Sequence, residues 1–293
     1  MNYHHIYHAG NFADIFKHVI LTLCLEKLHE KTAPFFVLDT HAGIGKYDLA
    51  DEKSLKTSEA AEGIRKLLQQ KNYADFLPER YLRILAKINN CEISELPEKL
   101  RVYAGSPSLI KDYLRRDDHA IFTELNRDDF SILRKTFAGS AKFSLFNLDG
   151  FALLKSKLPP IEKRGLIIID PAFEKDQSKV SADYGKIIEG MKDAYKRFAH
   201  GTYLAWYPII ESDKELLEKF HQEMAELKFA KILHTTFDIG NIGGETKMHA
   251  CGMFIFNAPW QLDEKLKIIL PQVLKVLMKT NTAKFEVNCL KDS

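Results

Sequence analysis

PFFVLDTHAGIGK, residues 34–46, decides the fold. A short apolar run ends in the carboxylate of Asp39 and passes at once into Thr40, His41, Ala42, Gly43, Ile44 and Gly45. This reads as a buried parallel strand entering a tight glycine turn. Glycines let the backbone turn sharply and let a ligand come close to main-chain atoms. The spacing is not G-x-G-x-x-G, and no G-K-[ST] follows, so a dinucleotide or triphosphate loop is disfavoured against another nucleoside ligand. The plainer reading, a turn that any strand-to-helix connection needs, stays open on this stretch alone.

Upstream, Ile15, Val19, Leu23 and Leu28 recur at helical spacing and predict a helix over Asn11 to Glu30. Downstream, residues 48–100 change texture: EAAEGIRKLLQQ and ERYLRILAKINN are charged, helical in pattern and free of buried-strand runs. They read as a helical insertion. Strand-like runs then return as AIFTEL (120–125), KFSLFNLD (142–149), GLIIID (165–170) and GTYLAWYPII (201–210), separated by amphipathic helices. Two later runs, AKILHTTFDI (230–239) and CGMFIFNAPW (251–260), flank a turn containing Gly240, Gly243 and Gly244, and predict a hairpin that adds an antiparallel strand. One more helix and a short tail complete the chain. The expectation is an α/β fold, a mostly parallel doubly wound sheet with one antiparallel strand. Its core spans 1–47 and 101–293, and a small helical insertion subdomain spans 48–100.

With 293 residues the chain can bury a full core, and 42 basic against 40 acidic residues give a net charge of only +2. Global charge therefore says nothing for a nucleic-acid partner, and a local patch would have to carry one. Lys17, Lys46, Arg65, Lys66, Arg115, Arg116, Lys163, Arg164, Lys196 and Arg197 are the basic residues available, of interest only where they flank the chemistry. Cys24, Cys91, Cys251 and Cys289 have no metal-type spacing and read as reduced thiols. His4, His5 and His8 lack a carboxylate or cysteine partner at matching spacing, so no metal is expected; this polar, aromatic stretch instead suits a loop closing over a ligand or nucleic acid. Neither a leader nor an apolar run long enough to span a bilayer stands out, which leads us to expect a cytoplasmic protein with no membrane partner.

Four predicted strands end in, or just before, an acid: Asp39, Glu124, Asp149 and Asp170. Ligands of open α/β sheets bind beyond the carboxyl ends of the strands, and a carboxylate closing the second strand commonly accepts from ribose hydroxyls. Glu124 holds that place, although the insertion sets it far downstream of the glycine turn. The sharpest element is Asp170-Pro171-Ala172-Phe173. An adenine amino group is a poor nucleophile because its lone pair is delocalised into the ring. Asp170 and the Pro171 carbonyl could accept its two protons, favour a pyramidal nitrogen and stabilise the charge that develops on methyl transfer. Phe173 would stack on an extruded base.

These residues resemble the RlmJ-type family of large-subunit rRNA adenine-N6 methyltransferases. The likeness runs through HAGNFADIFKH, LDTHAGIGKY, YAGSPSLI, FTEL, LDGF, KRGLIIIDPAFE, YKRFAHGTYLAWYP and ACGMFIFNAPW, nearly the whole chain. It implies a Rossmann-like core that uses S-adenosyl-L-methionine and acts, as a monomer, on protein-free or early-assembly 23S ribosomal RNA. Carried over by position, it implies that His18, His41 and Ser106 meet the methionyl and sulfonium end. Glu124 would hold the ribose, Asp149 with Gly150 the cofactor adenine, and Asp170 would be catalytic. Tyr3, Lys17, Pro171 and Phe173 would lie against the substrate. The chain reads D-P-A-F where such enzymes usually read D-P-P-Y, so a phenol hydroxyl and a rigid proline are missing. A DNA adenine methyltransferase, or a non-catalytic nucleic-acid-binding or DNA-utilisation protein that retained the fold, are the competing readings. A nuclease would need carboxylates clustered around metal ions, whereas these acids are spread along a path.

Overall fold

Phe36–Asp39 (β1) is buried along its whole length, as a strand covered by helices on both faces must be. The computed structural model describes residues 4–173, 177–210, 214–243 and 248–292, with no side-chain placement for 177–181. Tyr3 and Gly244 lie outside the described residues. The further strands are Lys46–Asp48 (β2), Val102–Ala104 (β3), His119–Thr123 (β4), Phe143–Phe146 (β5), Gly165–Ile169 (β6), Thr202–Pro208 (β7), Lys231–Asp238 (β8), Ala250–Phe256 (β9) and Lys284–Asp292 (β10). The helices are Phe12–Glu30 (α1), Glu52–Thr57 (α2), Lys66–Leu68 (α3), Tyr73–Phe76 (α4), Glu79–Ile88 (α5), Leu96–Lys99 (α6), Ser106–Tyr113 (α7), Arg127–Phe137 (α8), Gly150–Ser156 (α9), Gln177–Phe198 (α10), Lys214–Glu226 (α11) and Leu262–Leu277 (α12). No helix among the described residues is long and apolar enough to cross a membrane.

Eight strands form one sheet in the order β10-β8-β9-β7-β6-β1-β4-β5. β5, β4, β1, β6 and β7 run parallel, while β9 lies antiparallel between β7 and β8. The hairpin expected from residues 230–260 therefore forms, with its second strand inserted next to β7. The C-terminal tail departs from expectation. It is a nine-residue strand, β10, antiparallel to β8 and a second reversal in the sheet. Only its partly buried side chains, including Phe285 and Val287, meet the core, and charged or polar residues face outward, as suits an edge. β2 and β3 form a separate antiparallel ribbon that the sequence did not announce.

Alternate residues of β1 feed opposite layers. Phe36 and Leu38 join α9, α10 and α11 on one face, and Val37 joins α1, α7 and α12 on the other. Each such side chain, fully buried, contributes roughly 1.5–3 kcal/mol. Between β2 and β3 the chain forms α2–α6, whose Ile64, Leu67, Leu82 and Leu85 share the core occupied by α1. This stretch also grips the N-terminal arm. Ile64 N donates to Gly10 O at 2.9 Å, Glu59 accepts from Asn11 Nδ2 at 2.9 Å and pairs with His8 at 3.0 Å, and Thr57 Oγ1 donates to Tyr7 O. Contact is so close that a Cβ on Gly63 would sit 2.1 Å from Gly10 O, and here the helix widens with non-helical dihedrals at Gly63.

Candidate active site

Strand order reverses at β1, the point at which open α/β sheets place their ligand crevice, beyond the carboxyl ends of the strands, here β1, β4 and β6. Asp39 ends β1, Glu124 follows β4 and Asp170 follows β6. Asp39 is fully buried; its Oδ2 accepts from Ser106 Oγ at 2.7 Å and its Oδ1 from His41 N at 3.3 Å. Burial pushes this carboxyl up to about 7, against the opposing pull of the Ser106 hydrogen bond. Glu124 stitches the glycine turn to its own strand end, accepting from Gly43 N at 3.0 Å and from Asn126 N at 2.8 Å. Burial raises it too. Gly43 and Gly45 have φ of +59° and +78°, the left-handed region that glycine tolerates, which explains both glycines of the turn.

Asp149 caps α9, its Oδ1 accepting from Phe151 N at 3.0 Å. Gly150 begins that helix pressed against β1's loop: a Cβ there would lie 2.0 Å from Thr40 O. The pair thus brings a helix N-terminus up to the crevice.

α1 enters the crevice from the N-terminal arm. Asn11 caps it by accepting from Asp14 N at 2.9 Å, and Asp14, Lys17 and His18 then share one face at helical spacing. Asp14 is 1% exposed and accepts from Gly10 N at 2.9 Å and from His5 Nε2 at 3.0 Å. Burial would raise this carboxyl, but the surrounding His5, Lys17 and His18 overcome that and hold it far below the carboxylate range. Lys17 Nζ lies 2.5 Å from Asp170 Oδ2, 3.4 Å from Asp14 Oδ1 and 4.8 Å from the centre of the Trp206 ring. Burial works against its charge; Asp170 and then Asp14 more than offset this and hold the ammonium above its usual range. The cation–π contact adds roughly 0.5–2 kcal/mol.

Beyond Asp170, Pro171 is buried and Ala172 half-buried, and Phe173 adopts φ +40°, an uncommon conformation for an aromatic residue and a local strain in the loop after β6. Its ring packs on Tyr184 (5.1 Å between centroids) and edge-on to Trp206 (5.9 Å). Phe173 is thus held in an aromatic bracket from β7 and α10.

His18, next to Lys17 on α1, and His41, just after β1, both feel the charge of Asp170. His18 Nδ1 is 2.9 Å from Tyr103 OH, which is 3.0 Å from Tyr81 OH. His41 Nδ1 is 2.8 Å from Thr40 Oγ1, which donates to Ile168 O at 2.7 Å. Burial pushes each imidazole down to about 4, so both are neutral near pH 7. The imidazoles, with Glu124 and the glycine turn, offer what a nucleoside bearing an amino-acid tail requires: a diol acceptor, close backbone and polar groups for a zwitterion.

Among the described residues, the site residues expected from sequence fall around this one crevice, save that Tyr3 lies outside them. Lys17 touches Asp170 directly, and Ser106 turns its hydroxyl to Asp39. Sequence reading missed Asp14, Trp206, Tyr81 and Tyr103. Asp14 was within reach, three residues before Lys17 on a predicted helix. The other three carry no local signal. The N-terminal histidines each meet a different carboxylate: His4 Asp129, His5 Asp14 and His8 Glu59.

Comparison with known proteins now decides the family. The sequence model described as "Ribosomal RNA large subunit methyltransferase D, RlmJ" matches residues 32–290. The chain belongs to this family. Ribosomal RNA large subunit methyltransferase J of Haemophilus influenzae is 37% identical over 290 residues, 98% of each chain. The Escherichia coli protein of the same name is 35% identical over 285 residues, 96% of each. The crystal structure of protein LPL1258 from Legionella pneumophila superposes with a TM-score of 0.82 at 31% identity, over 96% of this chain and 98% of that one. The resemblance carried by HAGNFADIFKH and LDTHAGIGKY holds, and the fold is the Rossmann-like methyltransferase architecture expected for an RlmJ-family protein.

Proposed function

We propose that the chain transfers the methyl group of S-adenosyl-L-methionine to N6 of an adenine in large-subunit ribosomal RNA. The relatives are named for ribosomal RNA and for methyl transfer, so a DNA enzyme or a non-catalytic binder has no comparable support. The observation that carries the chemistry is the Asp170 carboxylate at the end of β6, held by Lys17 at 2.5 Å beside the glycine turn of β1.

When bound, S-adenosyl-L-methionine supplies the electrophilic methyl group. Glu124 accepts from the ribose hydroxyls with the lone pairs left by its two backbone donors. Asp149 and Gly150 border the adenine, and His18 and His41 hold the amino-acid end. Asp170 accepts from the target amine, with the Pro171 carbonyl as second acceptor, and stabilises the positive charge that grows on nitrogen. Lys17 fixes the carboxylate's orientation. Phe173, braced by Tyr184 and Trp206, offers the remaining face of its ring to the base. An adenine must leave its stack to reach this crevice, which suits RNA that is single-stranded or not yet assembled.

The test is transfer of label from S-adenosyl-L-methionine to protein-free large-subunit RNA of a strain lacking the gene, followed by digestion to nucleosides. N6-methyladenosine from wild type and none from Asp170→Ala is the expected result. Cofactor binding with no labelled RNA would overturn the substrate reading.

A further inference from the structure

Two histidines beside Asp170 each commit one ring nitrogen to a hydroxyl, and counting protons fixes what the other nitrogen presents. The Thr40 hydroxyl has one proton, and the Ile168 carbonyl 2.7 Å away can only accept it. His41 Nδ1, 2.8 Å from the same oxygen, must therefore donate. In a neutral ring Nε2 is then a bare lone pair.

His18 resolves the other way. Tyr81 and Tyr103 are both fully buried, and among the described residues the Tyr81 hydroxyl has only the Tyr103 oxygen as partner. If Tyr103 donated to Tyr81, the Tyr81 proton would be left buried without an acceptor, an arrangement folded proteins avoid. Tyr81 therefore donates to Tyr103, and Tyr103 donates to His18 Nδ1 at 2.9 Å. The His18 proton is displaced to Nε2.

We infer that His18 and His41 are locked in opposite tautomers, an Nε2–H donor and an Nε2 acceptor, and that Tyr81, Tyr103 and Thr40 are the positioning residues that lock them. A donor and an acceptor together match an α-amino acid zwitterion: the first suits a carboxylate, the second an ammonium. The pair thereby selects ligands that carry an intact amino-acid end. This rests on the proposed cofactor, whose methionyl group has both charges. Tyr81 lies on α5, between β2 and β3, so that segment takes part in cofactor recognition without touching the ligand.

Histidine-selective nitrogen-15 labelling of the cofactor-free protein near neutral pH, read by long-range proton–nitrogen correlation, shows which nitrogen of each ring is protonated. His18→Gln and His41→Gln assign the peaks. The expected pattern is Nε2–H at His18 and Nδ1–H at His41. Tyr103→Phe, and less completely Tyr81→Phe, move His18 toward a mixture and leave His41 alone; Thr40→Val does the converse. Calorimetry with S-adenosylhomocysteine is expected to show about tenfold weaker binding for Tyr103→Phe and Thr40→Val, the scale of one hydrogen bond. Binding of 5′-methylthioadenosine, which lacks the amino-acid end, stays unchanged. The same tautomer at both rings, or equal weakening of both ligands, overturns the inference. Opposed tautomers in a wild-type protein that binds neither ligand would leave the proton assignment standing and overturn the cofactor reading.

Discussion

Lys17 Nζ and Asp170 Oδ2 meet at 2.5 Å although 153 positions separate them in the chain. The contact joins the first long helix to the end of β6, and Asp14 and Trp206 hold the ammonium from two other sides. Lys17→Met should lower single-turnover methylation by about 10²-fold or more, the scale of losing one preorganised electrostatic contact. Cofactor affinity, measured by calorimetry, should change far less. Lys17→Arg should recover part of the rate. A Met variant with unchanged turnover would mean that Asp170 needs no fixed cation.

Asp39 has a pH signature. Its carboxyl, held by burial at about 7 against 3.8 when unperturbed, keeps in the folded state a proton that the unfolded chain sheds earlier. The folded form therefore binds more protons, and this group's contribution to stability falls as pH rises from roughly 4 to roughly 7, then levels off. Asp39→Asn removes that decline. Urea unfolding of wild type and variant on either side of this window should show their stability difference moving in the variant's favour by on the order of 2–4 kcal/mol at the higher pH.

His234 titrates with the opposite sense. Its ring is buried against Phe254 at 4.4 Å, lies with Nε2 2.6 Å from Tyr207 OH, and is driven down to about 3 by burial, with His221 adding to the effect. Neutral in the fold but protonated below pH 6.5 in the unfolded chain, it stabilises above 6.5, and that contribution is lost as pH falls toward 3. His234→Gln should cost stability near neutral pH and progressively less in acid. Parallel melting curves for the two proteins across that range would contradict this.

Gly150 leaves no room for a side chain. With Thr40 O at 2.0 Å and Thr40 Cβ at 2.6 Å from any added Cβ, Gly150→Ala must push α9 away from β1. About 3 kcal/mol or more should be lost, visible as a Tm lowered by several degrees. Cofactor affinity should fall too, since Thr40 and His41 are the groups displaced. Gly185→Ala on α10, where nothing lies within 4 Å of the added carbon, should be neutral or slightly stabilising.

Much of this site could be read before any coordinates, for a physical reason. Buried parallel strands are short apolar runs, and a carboxylate at the end of one marks the edge where ligands bind, so Asp39, Glu124 and Asp170 stood out by position. The glycine turn was legible because φ above zero restricts residue choice. β10 was not: Phe285 and Val287 alternate with charged and polar residues as an edge strand should, but so short a signal looks like a tail. Trp206 lay inside a recognisable strand, yet which face it serves depends on sheet pairing. The Tyr81–Tyr103–His18 chain joins three segments whose meeting is purely tertiary. His8 with Glu59, and Gly10 against Gly63, are hidden for the same reason.

α1 carries one last consequence. Thirteen of its nineteen residues are buried, all of the first fourteen except Lys17, so it has almost no solvent face over that length. It is translated before the elements that enclose it, which include α7, β6, β9 and α12, the last beginning at Leu262. During synthesis this greasy rod must wait, wrapped provisionally or shielded by a chaperone, until α12 has emerged. Burial of α1 is therefore timed by translation of α12, and a chain cut short before α12 should be an aggregation hazard rather than a weak enzyme.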